Sequence, residues 1–249
     1  MLRLYSYKLT DDTGFAPNPF WGVLTLATCK PQIRLKKHVG DWIAGFTSTT
    51  LNGDRIGEER LIYLARVTRK LTIANYFRAP EFANKKPLPD SPDLRQRQGD
   101  NIYEPLVDLA ASPRDFRQLR NDNHWDGQDR SAGSCAPGPS RVHDISGRFV
   151  LICEEYAYFG AEPLTIPKPL RPDIPKGQSA HGSQTKDQRR VSAFVDYVMQ
   201  KAKGRRLICH PTFWAADDDS WRAKKPCTGS KAPGKAARPH DRRPGGCVK

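Results

Sequence analysis

Long apolar runs are missing from this chain. The longest, such as Phe149–Cys153, fall far short of the ~20 residues needed to cross a bilayer, so no membrane partner is expected. The opening twelve residues, MLRLYSYKLTDD, hold no extended apolar stretch and no small-residue cleavage site, which excludes a recognisable signal peptide and makes a cytoplasmic protein the default. The glycine-rich phosphate fingerprints G-x-G-x-x-G and G-x-x-x-x-G-K-[ST] are absent, as is alternation of strand and helix. Classical nucleotide-cofactor folds are therefore excluded and no cofactor is expected. Cys-x-x-Cys pairs are lacking too. The six cysteines at 29, 135, 153, 209, 227 and 247 are scattered, which argues against a disulfide framework and a structural zinc site. Asn121, Asn123, His124 and Asp126 offer metal-capable groups, but their spacing fits no standard site and reads as a polar loop, so no metal is expected. Acids are few: 27 against 41 Lys and Arg, a net charge of +14 with pI near 9.7, which points towards a polyanion partner.

Hydrophobic content of 37% and a mean hydropathy of −0.68 describe a polar chain long enough, at 249 residues, to build a real core. The positive charge is uneven. Residues 222–249 hold nine Lys and Arg against one acid, and residues 1–80 hold twelve against six, leaving the middle near neutral. The Lys-, Pro- and Gly-rich composition of 222–249 reads as a basic, disordered tail, an accessory arm at most.

Secondary structure follows from periodicity. Near-alternation around Leu2, Leu4 and Tyr7, the β-formers of 21–28, and Trp42–Phe46 read as strands, as do residues 61–71 and the buried run Phe149–Cys153. Residues 51–59, with Asn52-Gly53-Asp54, read as a hairpin tip. Residues 72–82 suit a short helix stopped near Pro80. Val191, Phe194, Val195, Val198 and Met199 recur at helical spacing ahead of Gly204, which fits a helix stop. Residues 84–147 read as a loop-rich insertion with one helical turn around 115–119, and 163–185, with five prolines, as an extended connector. The fold class is α+β: a mixed or antiparallel curled sheet with few helices and long loops, in one domain over 1–210.

Chemistry concentrates in residues 11–34, DDTGFAPNPFWGVLTLATCKPQIR, where Gly14, Pro17 and Pro19 fix the path of a loop rich in polar groups. Residues 7–19 (YKLTDDTGFAPNP), 26–34 (LATCKPQIR) and 39–43 (VGDWI) resemble the nucleotide modification associated domain 2 family. The later blocks 99–103 (GDNIY) and 156–160 (YAYFG) fit the same pattern in order. The resemblance implies an α+β domain found in bacteria and phages alongside DNA base-modification systems. It does not by itself imply an activity. The Gly40-Asp41-Trp42-Ile43 turn and its strand are also similar, over a shorter stretch, to barrels of the PUA, EVE and ASCH type, which bind modified bases or RNA.

Asp11, Asp12, Thr13, Gly14, Phe15 and Asn18 form a loop whose side chains and amides suit a base edge or phosphate, or equally a self-satisfied Asx turn. Cys29 sits beside Lys30 and Arg34, two cations that would lower a thiol pKa. A packed Cys29, with Lys30 and Arg34 on phosphates, is the simpler reading. Asp41 suits a turn cap or a base contact, with Trp42 in the core. Asp100, Asn101 and Tyr103 suit base reading or a plain turn. Tyr156 and Tyr158 point to one face by alternation and, with Phe159, stack on a base or complete the core. These residues together suit recognition of a nucleotide or nucleic-acid base, modified rather than plain. The rival is an enzyme using Asp11, Asp12 or Asp41 as acid or base and Cys29 as nucleophile. A third reading assigns all affinity to the basic tail. Neither the base nor the oligomeric state is legible.

Overall fold

The structure, a computed structural model, describes residues 1–126, 137–177 and 179–214. In chain order the elements are β1 (Leu4–Lys8), β2 (Leu24–Leu26), α1 (Pro31–Lys36), β3 (Trp42–Phe46), α2 (Thr49–Asn52), β4 (Leu61–Arg66), β5 (Arg69–Thr72) and α3 (Ile73–Arg78). They continue with α4 (Leu94–Arg97), β6 (Tyr103–Pro105), β7 (Phe116–Gln118), α5 (Pro139–Ile145), β8 (Phe149–Cys153), β9 (Glu155–Tyr158), β10 (Ser183–Thr185) and α6 (Gln188–Ala202). The tail expected from residue 222 onward lies outside the described residues, as do Cys135, Cys227 and Cys247.

Five strands form one sheet in the order β10-β1-β3-β4-β9, with β1 and β3 parallel and the other pairs antiparallel. Three more, β2-β8-β5, form an antiparallel sheet, and β6 pairs with β7. The fold is thus α+β with mixed and antiparallel sheets. No sheet closes into a barrel among the described residues, so the barrel-type likeness does not extend to closure.

The curl has a local cause. Residues 61–71, expected as one strand, bend at Val67-Thr68 into β4 and β5, and their partner bends at Glu154 between β8 and β9. Thr68 holds the corner: its N–H and hydroxyl donate to the Ile152 carbonyl at 2.8 and 3.0 Å, and its Oγ1 accepts from Glu154 N–H. Two strand pairs therefore serve two sheets. Between the sheets pack Tyr7, Ile43, Tyr63, Leu151, Cys153, Tyr156 and Tyr158. On the opposite face of the five-stranded sheet, α6 lays Val191, Phe194, Val195 and Val198 against Leu4, Trp42, Phe46 and Leu64. Asp187 caps this helix by accepting from the N–H groups of Arg189 and Arg190, and left-handed Lys203 and Gly204 end it.

The described residues of the stretch 84–147 build more structure than its composition suggests. Ile102, Tyr103, Phe116 and Ile145 are buried in a third cluster with Phe15, Ile73, Tyr76 and Phe82. The helical turn expected at 115–119 is strand β7, preceded by a turn at Pro113–Asp115 that Ser112 caps. Phe116 and Gln118 are both buried while Arg117 is exposed, a two-residue period within a polar run.

Candidate functional site

Loop 11–15 leaves β1 under tight local control. Asp12 is buried and accepts hydrogen bonds from the Tyr158 hydroxyl, from Thr212 N–H at 2.9 Å and from Thr212 Oγ1 at 2.7 Å. Burial raises its carboxyl pKa, with the three donors pulling the other way. Gly14 has φ +78°, and a Cβ there would lie 2.7 Å from Pro211 Cγ and 2.8 Å from Phe20 Cε2, so glycine is required. Trp214 Nε1 donates to the Thr13 carbonyl at 2.8 Å, and Phe213 N–H to the Asp12 carbonyl at 3.0 Å. Asp11 is exposed, and Phe15 turns inward and packs 5.7 Å from the His124 ring.

A second constellation gathers at the end of β2. Cys29 and Lys30 are left-handed, φ 54° and 38°, immediately before Pro31 opens α1. Asp144, at 0% exposure, accepts from Cys29 N–H at 2.6 Å and from the Tyr103 hydroxyl at 2.8 Å, and its Oδ2 lies 2.9 Å from His124 Nε2. One ligand-type atom each from Cys29, His124 and Asp144 lie within 4.8 Å of one another. Burial alone would raise the Asp144 carboxyl, but His124, Arg34 and Tyr103 together hold it below the usual carboxylate range. Burial opposes protonation of His124, and Asp144 more than offsets this, lifting the imidazole above its ordinary value. The Cys29 thiol is pushed up to about 12, by burial first and then by Asp144, despite Arg34 and Lys30. The two neighbouring cations thus do not make a resting thiolate, because desolvation wins.

Arg34 does not reach phosphate. Fully buried, it donates from Nε to the Cys29 carbonyl at 2.8 Å, from Nη1 to Phe149 at 2.9 Å and from Nη2 to Asp144 at 2.6 Å. Lys30 remains half-exposed, its ammonium 5.6 Å from the Tyr7 ring centroid.

Asn18, Asp100 and Asn101 belong to a buried network instead of an open slot. Lys85 donates to Asn18 O and Oδ1 and to Val23 O at 3.0, 2.8 and 2.8 Å; Asp100 accepts from Thr25 at 2.6 Å and Tyr76 at 2.8 Å. Asn101 spends its amide on Tyr76 and Phe82 carbonyls. Tyr156 and Tyr158 do share one face, but it is the inter-sheet core, where Tyr156 donates to Pro19 O; Phe159 lies on the α6 side. Asp41 caps its turn by accepting from His38 N–H and pairs with Arg3 Nε at 2.5 Å, while Trp42 is core. A shallow cavity of about 210 Å³ beside Tyr156, Met199 and Arg206 holds none of the candidate acids or thiols.

The sequence disclosed no role for the candidate site residues Trp125, Asp144 and Phe213, and placed His124 only among the metal-capable groups of a polar loop. Trp125 and Phe213 are exposed at 39% and 51%, next to His124 and to the Asp12 clamp respectively. His124 and Asp144 lie 95 and 115 residues beyond Cys29, so no local spacing links them.

The family model of nucleotide modification associated domain 2 matches residues 1–218. No curated protein and no solved structure matches the chain.

Proposed function

The chain belongs to the nucleotide modification associated domain 2 family, and from that membership we propose that it recognises a nucleotide or a nucleic-acid base, a modified one in preference to a plain one. The recognising face comprises loop 11–15, Lys30, His124, Trp125 and Phe213. One observation carries this reading: two exposed aromatic side chains, Trp125 and Phe213, belong to segments that contact loop 11–15, Trp125 following His124, whose ring packs on Phe15, and Phe213 donating its N–H to the Asp12 carbonyl. Exposed aromatics supply stacking worth about 1–3 kcal/mol per base, and a nearby ammonium favours phosphate. Asp11 and Thr13 supply polar contacts to a base edge. Asn18, Asp100, Asn101, Tyr103, Tyr156 and Tyr158 support the face from within without touching the ligand, since their side chains are buried, and Phe159 lies on the far side of the sheet.

The test is binding of plain and base-modified oligonucleotides at low and physiological salt, with free nucleotides as competitors. Trp125→Ala and Phe213→Ala are each expected to weaken binding by about 5- to 150-fold, the equivalent of one lost stack. Binding that ignores modification and disappears on removal of residues 222–249 would instead assign the affinity to the basic tail. An enzymatic reading through a resting Cys29 thiolate is disfavoured by a thiol held at about 12.

A further inference from the structure

Cys29, His124 and Asp144 come from three distant segments, yet their sulfur, imidazole nitrogen and carboxylate oxygen lie within 4.8 Å of one another. We propose that they bind one zinc-class divalent ion through three protein ligands, leaving a fourth position for an anionic oxygen such as hydroxide. The inference goes beyond recognition and does not depend on it.

Four features support the assignment. The donor set mixes sulfur, nitrogen and oxygen, which suits zinc and its borderline neighbours and disfavours magnesium and calcium, which take oxygen alone. His124 Nε2 is enclosed and 2.9 Å from Asp144 Oδ2, but off the line of a hydrogen bond, so a buried ring nitrogen has no aligned partner. A shell of fixed groups orients the ligands: the Tyr103 hydroxyl donates to Asp144 Oδ2, Cys29 N–H to Asp144 Oδ1, and Arg34 Nε to the Cys29 carbonyl. Charge then selects the fourth ligand. A divalent ion with a thiolate, a carboxylate and a neutral imidazole is neutral, and the charges acting on its ligands, Arg34 (3.6 Å from Asp144 Oδ1) and Lys30 against Asp126, leave one positive charge that an anionic oxygen balances. Three protein ligands and one open position is the pattern of a reactive site, in contrast to the closed four-ligand structural site. Binding releases the Cys29 thiol proton to solvent as the sulfur–metal bond forms.

The full chain is titrated with Co²⁺ and Zn²⁺. One Co²⁺ is expected per chain, with a near-ultraviolet thiolate-to-cobalt absorption band. Cys29→Ser abolishes the band while leaving far-ultraviolet circular dichroism and melting unchanged, and His124→Ala weakens affinity by about tenfold or more. Cys227→Ser/Cys247→Ser, in the tail, leaves both intact. In the wild-type protein, Zn²⁺ displaces Co²⁺ and bleaches the band; this readout needs no variant to fold. A band that survives Cys29→Ser, equal affinity in wild type and both ligand variants, or a cobalt band indifferent to Zn²⁺ overturns the proposal. Metal binding without nucleotide binding would remove only the recognition reading.

Discussion

Lys85 carries an ammonium into a region with 1% exposure, and burial pushes its pKa down to about 7 from an ordinary 10.5. Between these values the unfolded chain holds a proton that the folded chain does not, so raising the pH favours folding across that window. Stability is expected to climb from pH 7 towards pH 10 by up to ~1.4 kcal/mol per unit, and Lys85→Met to flatten that slope; urea denaturation at pH 7 and 9 measures both. Arg34 makes a different case. Its planar fork serves three carbonyls at once, which a lysine ammonium at the same place cannot reproduce. Arg34→Lys is expected to cost about 2–3 kcal/mol in chemical denaturation. A stable variant whose only defect was a smaller salt dependence of nucleic-acid binding would put the guanidinium back on phosphate. From sequence both residues look like surface cations. Their burial depends on partners 62 to 115 residues away, which local composition does not encode.

Among the elements, α6 was the most legible because its period of apolar residues is strict and Gly204 closes it; the capping Asp187 came only with the structure. Phe194 sits at the centre of that face, fully buried and stacked 6.3 Å from Phe46, so Phe194→Ala is expected to cost about 3–5 kcal/mol, read as a shift in the denaturation midpoint. Strands β3 and β8 were equally plain, being short runs of β-forming residues. The bend at Val67-Thr68 was not, because a corner is made by hydrogen bonds to Ile152 and Glu154 and by no local turn residue. Hairpin β6–β7 was hidden for a related reason: its three-residue strands contain arginine, glutamate and proline, and alternate burial marks only β7, while β6 buries Tyr103 alone. Gly160 ends the β9 segment at φ +54°, where a Cβ would lie 2.0 Å from the His210 carbonyl. Gly160→Ala is expected to lose about 2 kcal/mol or more, and to weaken ligand binding at protein concentrations where the fold persists, because it displaces the segment under loop 11–15.

At the scale of the whole molecule, the proposed face is assembled from residues 11–15, 29–30, 124–125 and 210–214, which explains what sequence reading reached. The first two groups form compact motifs with fixed spacing, so their chemistry was visible. The other two enter as a lone histidine in a polar run and a short segment after the last helix, and only the fold makes them neighbours. Much of the conspicuous aromatic and Asp-Asn content proved to be core, since an inter-sheet layer needs large side chains whose polar ends find partners. The clamp on loop 11–15 also has a consequence for how the protein is made. Asp12 obtains its partners from Thr212, and Thr13 from Trp214, about 200 positions later in the chain. During translation the amino-terminal loop therefore emerges long before the residues that give it shape. Until residues 212–214 have been made, loop 11–15 lacks these partners, so the proposed ligand face is unfinished until synthesis has passed them.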